Sequence, residues 1–113
     1  MKRNLEAIEE LMRELKKESK ESLVLVEGKK DKRALEKFGI KNVIELSGKP
    51  LFKLTEFEEE VIILVDNDEE GNKILRELLQ GFQLNKVRYN LRFRRRLRKL
   101  GIRKIEELSR VRR

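Results

Sequence analysis

The chain has no cysteine, no histidine and no tryptophan, and its only proline is Pro50. Without cysteine there is no disulfide, no thiol nucleophile and no sulfur-ligated metal. Without histidine the commonest general base and the commonest transition-metal ligand are both missing. Ser-His-Asp and Cys-His catalysts are therefore excluded, and any chemistry falls to carboxylates, lysine, arginine, serine or the lone Tyr89. A metal ion would be held by oxygen alone, which points to Mg²⁺, Mn²⁺ or Ca²⁺. No apolar run has the length of a signal peptide or a membrane span, so a cytoplasmic protein with no membrane partner is expected. Aromatic residues make up only 5% of the chain, which leaves little for stacking on bases.

Charge, by contrast, is abundant: 44% of residues are charged and 38% hydrophobic. The apolar residues come in periodic blocks, which argues for folding rather than disorder. At 113 residues the chain is long enough for one core and buries roughly two-thirds of its unfolded surface. The richness in Lys, Arg and Glu leans towards a heat-adapted source. Net charge is +8, and it is unevenly spread. Residues 1–83 hold 16 basic against 19 acidic side chains, while residues 84–113 hold 13 against 2. An acidic body with a basic tail suits a polyanionic partner, most simply nucleic acid.

Residues 4–17 place Leu5, Ile8, Leu11, Met12 and Leu15 on one helical face. "SLVLVE" (22–27) reads as a buried strand, residues 30–38 as a helix stopped by Gly39, and "NVIEL" (42–46) as a second strand. The turn "SGKP" follows, with Pro50 in the first turn of a short helix over 50–58. "VIILV" (61–65) is a fully apolar strand, residues 70–82 a helix, and "KVRYNL" (86–91) a fourth strand. A basic helix with Leu97 and Leu100 inward and a short closing element complete the chain. The echo between "FGIKNVIEL" and "LGIRKIEEL" is explained by two similar helix-to-strand turns. Alternation of strand and helix predicts an α/β, Rossmann-like fold with right-handed crossovers and a mainly parallel, about four-stranded sheet. The organisation expected is an N-terminal amphipathic helix (1–20), a core domain (21–91) and a basic segment (92–113) packed on that core.

In such a sheet ligands bind beyond the carboxyl ends of the strands. That rule gathers Glu27 and Gly28, Ser47 and Gly48, and Asp66 and Asp68 on one edge. Asp66 and Asp68, two apart, face the same way in extended chain, about 6–7 Å from each other. Should the first and third strands be neighbours, Glu27 joins them. Carboxylates about 5 Å apart repel by roughly 3 kcal/mol at an effective dielectric of 20, a penalty that a divalent ion turns into affinity. Gly28 and Gly71 would let the backbone turn sharply and approach a phosphate. The plainer alternative is helix capping, since Asp68, Glu69 and Glu70 precede a helix. All three aspartates of the chain, Asp31, Asp66 and Asp68, nevertheless fall in these two segments.

Other motifs compete for the same residues. "DNDEEGNKILRE" nearly matches a calcium loop, with acids at positions 1, 3, 5 and 12 and Gly71 at position 6. Lys73 stands at its normally apolar position 8, and a strand rather than a helix precedes it. A phosphoacceptor receiver needs a later aspartate that the chain lacks. A phosphate loop at "SGKP" lacks its upstream glycine and the Ser or Thr after Lys49.

Together, "VEGKKDKRAL" and "LVDNDEEGNK" resemble the Toprim domain of topoisomerases, primases and related nucleases. Its E-G-x-x-D element is matched by Glu27, Gly28 and Asp31, and its D-x-D by Asp66, Asp68 and the following Gly71. "ELSGKP" matches the intervening strand and turn. The resemblance covers residues 22 to about 90 and is nearest to small stand-alone, primase-like Toprim proteins and to the Toprim half of the ribonuclease that matures five-S ribosomal RNA. It implies that Asp66 and Asp68 coordinate Mg²⁺, with Mn²⁺ as a substitute, while Glu27 helps to hold metal and relays a proton. The reaction implied is phosphoryl transfer or phosphodiester cleavage on RNA or DNA. Tyr89, in a strand, is a packing residue rather than a topoisomerase nucleophile.

Lys29, Lys30 and Lys49 sit beside these motifs and are candidates for substrate phosphates. Arg92, Arg94, Arg95, Arg96 and Arg98 form a denser cluster whose planar forks suit phosphate oxygens. Binding through them would be backbone-directed and salt-sensitive. An acidic protein partner is the alternative for this surface, and a non-catalytic nucleic-acid-binding subunit of a larger complex is the alternative for the chain.

Overall fold

A computed structural model describes residues 5–49 and 57–111. Helix α1 (Leu5–Glu18) leads into β1 (Ser22–Val26), α2 (Lys29–Glu36), β2 (Val43–Glu45), β3 (Glu60–Ile63), α3 (Glu69–Leu84), β4 (Tyr89–Asn90) and α4 (Arg92–Lys99), and a 3-10 helix (Ile105–Arg110) closes the described chain. The helix expected over 50–58 falls mostly outside the described residues, and Phe57 and Glu58 are not helical. The fourth strand is shorter than its hydrophobic pattern suggests, with only Tyr89 and Asn90 in the ladder.

All four strands are parallel, in the order β2-β1-β3-β4. Side chains of a strand alternate between faces, and both faces are covered. Val24, Val26, Ile62 and Leu64 join α1, α2, α4 and the 3-10 helix in one core layer. Leu25, Val61, Ile63 and Val65 join Leu78 and Phe82 of α3 in the other. This double coverage is why "VIILV" is apolar throughout.

The basic segment contributes side chains to the core. Phe93, Leu97, Ile102, Ile105 and Leu108 are fully buried against α1 and α2. Most of the arginines between them follow the outer face of α4, while Arg94 turns inward. Arg92 pairs with Glu18 at 2.9 Å and Arg96 with Glu14 at 2.6 Å, tying α4 to α1.

The repeated "GI" is a helix stop used twice. Gly39 and Gly101 both take a φ of +80°, and the next residue's N–H returns to a leucine carbonyl, Ile40 to Leu35 and Ile102 to Leu97. Glycine alone adopts this left-handed geometry without strain, and the following isoleucine packs inward. The first stop leads towards β2, but the second leads into the 3-10 helix rather than a strand.

The chain runs from β1 outward to β2 and then crosses back to β3 on the far side of β1. The reversal makes the carboxyl ends of β1 and β3 the topological switch point, where open α/β sheets form their crevice. Glu27 follows one of these strands and Asp66 the other.

Candidate functional site

Parallel pairing of Leu25 with Ile63 brings the two acidic segments together. The Asp66 N–H donates to Glu27 Oε2 at 2.7 Å. Asp66 Oδ1 accepts from the Ile105 N–H at 2.8 Å. Asp68 is the N-cap of α3, its Oδ1 accepting from Gly71 N–H at 2.8 Å, and its Oδ2 lies 3.6 Å from Lys104 Nζ. Asp68 thus caps α3 with one oxygen while its other oxygen faces Lys104. Asp66 and Asp68 both turn towards the 104–105 segment. Ser47 N–H donates to the Glu27 carbonyl at 3.0 Å, which brings the exposed Ser47–Gly48–Lys49 turn to the same edge.

Burial and crowding make Glu27, Asp31 and Asp66 reluctant anions. Asp66 is only 9% exposed, and desolvation, opposed by the Ile105 N–H and reinforced by Asp31 and Asp68, raises its pKa from 3.8 to about 6. Desolvation also raises Glu27, against the Asp66 N–H and with help from the charges of Asp66, Asp68 and Asp31. Asp31 is buried at 7% exposure, accepts from Gly28 N–H at 3.1 Å and is likewise pushed up by burial. It is the N-terminal brace of α2.

The two glycines differ in what surrounds them. Gly28 has an extended backbone (φ −147°) open to any residue, and a β-carbon there would meet only Ser47 Oγ at 4.0 Å. A β-carbon on Gly71 would lie 2.0 Å from the Asp66 carbonyl oxygen. Gly71 lets α3 close on the Asp66 loop, and no phosphate is needed to account for it.

A calcium loop does not form from 66–77. Helix α3 begins at Glu69, so Glu77 lies about 13 Å along its axis from Asp68, and the preceding element is a strand.

The candidate basic residues are dispersed. Lys29, Lys30 and Lys49 are exposed near the Glu27 edge. Arg92 and Arg96 are engaged with α1, while Arg95 is exposed on the β4 side near Glu60 and Tyr89. Arg94 turns inward: its Nε donates to the Val65 carbonyl at 2.9 Å, and its Nη2 to the Asp66 carbonyl at 2.7 Å and to Asn72 Oδ1 at 2.8 Å. Arg98 lines an open cleft of about 520 Å³ with Asn67, Asp68, Asn72 and Arg103. Arg103, Lys104 and Asn67 carry no motif of their own. Their place at the site follows from Asn67 N–H donating to the Arg103 carbonyl at 2.6 Å and its side chain to the Arg94 and Ile102 carbonyls. The inward role of Arg94 has a measurable counterpart. Arg94→Lys is expected to lower stability by about 1–2 kcal/mol, because a single ammonium nitrogen cannot occupy the separate Nε and Nη2 positions that bond Val65, Asp66 and Asn72; a urea midpoint equal to wild type would contradict the bracing.

Residues 22–98, over half of the chain, match the Toprim domain family. The chain belongs to the Toprim family. The Toprim domain is a nucleic-acid-related, metal-binding domain, and its match spans both acidic motifs of this chain. A UPF0292 protein of Methanocaldococcus jannaschii is 31% identical over 91% of this chain and 88% of its own length. A second UPF0292 protein, from Methanosarcina barkeri, is 33% identical over 96% and 80%. A solved structure of a protein from Aquifex aeolicus superposes with a TM-score of 0.81 at 43% identity, covering 94% of this chain and 99% of that one. The Toprim fold accounts for the all-parallel sheet and for the two motifs meeting at the switch point. No described helix is long and apolar enough to cross a membrane.

The residues of this Toprim domain fit a hard dication by their chemistry. The donors are carboxylates only, and Glu27 and Asp66 are raised by burial and by neighbouring acids. Among the described residues no three acids are already gathered into a metal-binding group; Asp66 and Asp68 each direct an oxygen to a backbone N–H, and Asp68 also faces Lys104.

Proposed function

We propose that this Toprim protein carries out Mg²⁺-dependent phosphoryl transfer or phosphodiester cleavage on nucleic acid, with Glu27, Asp66 and Asp68 as its metal and catalytic residues. The observation that carries this is the Glu27 carboxylate 2.7 Å from the Asp66 N–H, at the switch point, in a cluster whose buried members resist ionisation without a cation. Mg²⁺, or Mn²⁺ in its place, supplies charge stabilisation at the attacking and leaving oxygens.

The rest falls to the chain. Asp66 and Asp68 each commit Oδ1 to the main chain, so their remaining carboxylate oxygens would hold the metal. Glu27 is fixed through Oε2, so Oε1 is the atom that takes or returns the proton of the reacting oxygen. Burial raises its pKa, which suits a group that must hold a proton transiently. Arg98 and Arg103 line the cleft, where they would meet the phosphates of a bound strand. Lys29, Lys30 and Lys49, with the Ser47–Gly48 turn, flank it on the β1–β2 side. Few aromatics and many arginines favour recognition of phosphates over bases.

The test is cleavage of structured RNA and of DNA with Mg²⁺, scored beside binding. Glu27→Gln is expected to slow cleavage roughly 10²–10⁴-fold, the range of a lost general acid or base, with nucleic-acid binding retained. Binding without cleavage of any substrate by the wild-type protein would favour the second reading, a non-catalytic nucleic-acid-binding subunit of a larger complex. The ion pairs that occupy Arg92 and Arg96 already reduce the free basic surface on which that alternative depends.

A further inference from the structure

Lys104 lies beyond the stretch 22–98 that matches the Toprim family, yet the fold sets its ammonium 3.6 Å from Asp68 Oδ2. The main chain around it is pinned to the acidic loop. Asn67 N–H donates to the Arg103 carbonyl at 2.6 Å, and Ile105 N–H donates to Asp66 Oδ1 at 2.8 Å. Lys104 N–H itself donates to Glu107 Oε1 at 2.9 Å. The side chain, in contrast, is 56% exposed. Lys104 is thus fixed at its α-carbon and free to swing at its tip.

Asp68 Oδ1 is committed to capping α3, so Oδ2 is the oxygen open to an external cation. That is the oxygen the ammonium faces. Two positive charges cannot share it without repulsion, so a dication arriving at Asp68 must displace the ammonium. The cleft beside Asp68 is lined by Arg98 and Arg103 as well as by Glu69, so a displaced ammonium would have a basic, anion-attracting surface beside it. A compact ammonium with three donors suits a phosphate oxygen in that position.

We infer that Lys104 is a tethered counter-ion that holds the Asp68 carboxylate until a divalent cation takes it, and that its ammonium then contacts a phosphate of the bound strand. The inference rests on the metal-centre reading of Glu27, Asp66 and Asp68 given above. It makes Lys104 a competitor of the metal and a ligand of the substrate, two properties of opposite sign.

The experiment is Mg²⁺ titration of the full chain by calorimetry without nucleic acid, followed by binding of a single-stranded RNA oligonucleotide in Mg²⁺ across salt concentrations. Lys104→Gln is expected to bind Mg²⁺ about three- to fivefold more tightly, the scale of an exposed ion pair, and Lys104→Arg to bind as wild type. Lys99→Gln removes the same charge from exposed α4 and is expected to leave Mg²⁺ affinity unchanged. In Mg²⁺ the Lys104→Gln variant should bind RNA more weakly, with a log–log salt slope smaller by about 0.7. Unchanged or weaker Mg²⁺ binding by Lys104→Gln, or equal tightening by Lys99→Gln, overturns the tether. An unchanged salt slope overturns the contact with phosphate. A flat wild-type titration overturns the metal-centre reading and the inference together, whereas a normal wild-type titration with an unaltered variant overturns the inference alone.

Discussion

Gly71→Ala is expected to lower the stability of the folded protein by about 3 kcal/mol, the upper end of ordinary overpacking costs. On helix propensity alone the change should help, since Ala is better than Gly by about 1 kcal/mol inside a helix. Geometry reverses the sign. The added carbon would lie 2.0 Å from the Asp66 carbonyl oxygen, and that oxygen belongs to the main chain and cannot rotate away. The same carbonyl accepts from Arg94 Nη2 at 2.7 Å, so moving it also loosens the Arg94 brace and shifts the Asp66 N–H that holds Glu27. At roughly 4 °C per kcal/mol for a domain of this size, the melting temperature should fall by about 12 °C, and the Mg²⁺ response should fall with it. Gly28→Ala is the contrast, since its new methyl meets only Ser47 Oγ at 4.0 Å and stability should stay within about 0.5 kcal/mol of wild type. Melting curves in which Gly71→Ala matches or exceeds the wild type would show that α3 does not close on the Asp66 loop.

Asp66→Asn is expected to do two opposite things: stabilise the metal-free protein at neutral and alkaline pH, and abolish its response to Mg²⁺. Asp66 has a folded pKa of about 6 against an ordinary 3.8, so between these values the folded state holds a proton that the unfolded state has released. The slope of unfolding free energy with pH is then negative. Stability associated with this group is fully present below about pH 4, declines as pH rises through 6, and stays low above it. At about 1.4 kcal/mol per pKa unit the penalty is about 3 kcal/mol, which partial access of water trims to about 2. Asparagine keeps the oxygen that accepts from Ile105 and carries no charge. The variant should therefore melt about 8 °C higher than wild type at pH 8 and equal to it at pH 4. Mg²⁺ should raise the wild-type melting temperature mainly above pH 6, where Asp66 is deprotonated and able to bind, and should leave Asp66→Asn unmoved. Lower stability of Asp66→Asn than wild type at pH 8 without metal would mean that Asp66 is held as a comfortable structural anion.

Much of the fold is legible in local pattern. "VIILV" is apolar at every position because both faces of β3 are covered, and the α3 residues Leu78 and Phe82 point inward at the spacing that the helical period requires. The E-G-x-x-D and D-x-D elements are visible because each is short and contiguous. The basic tail is the less legible part. Leu97 is legible as an inward position, but Phe93, Ile102 and Ile105 are also buried, their spacing masked by a run of arginines whose density suggests an outer surface. Within that stretch Arg94 turns inward to two carbonyls while Arg98, one turn later, faces the cleft. Charge alone does not separate them.

By itself, then, the chain determined its alternation of strands and helices, its buried faces, the absence of nitrogen and sulfur ligands, and the presence of two acidic motifs at strand ends. Those follow from periodicity and composition, which act over a few residues. Tertiary structure decided the order of the strands, the meeting of Glu27 with Asp66, the partners of each arginine and the place of Lys104 beside Asp68. Local pattern specifies which side chains leave water. Which distant groups then share the remaining space is fixed by how the sheet is ordered and how closely the backbone can approach, as at Gly71, and both emerge only when the whole chain packs.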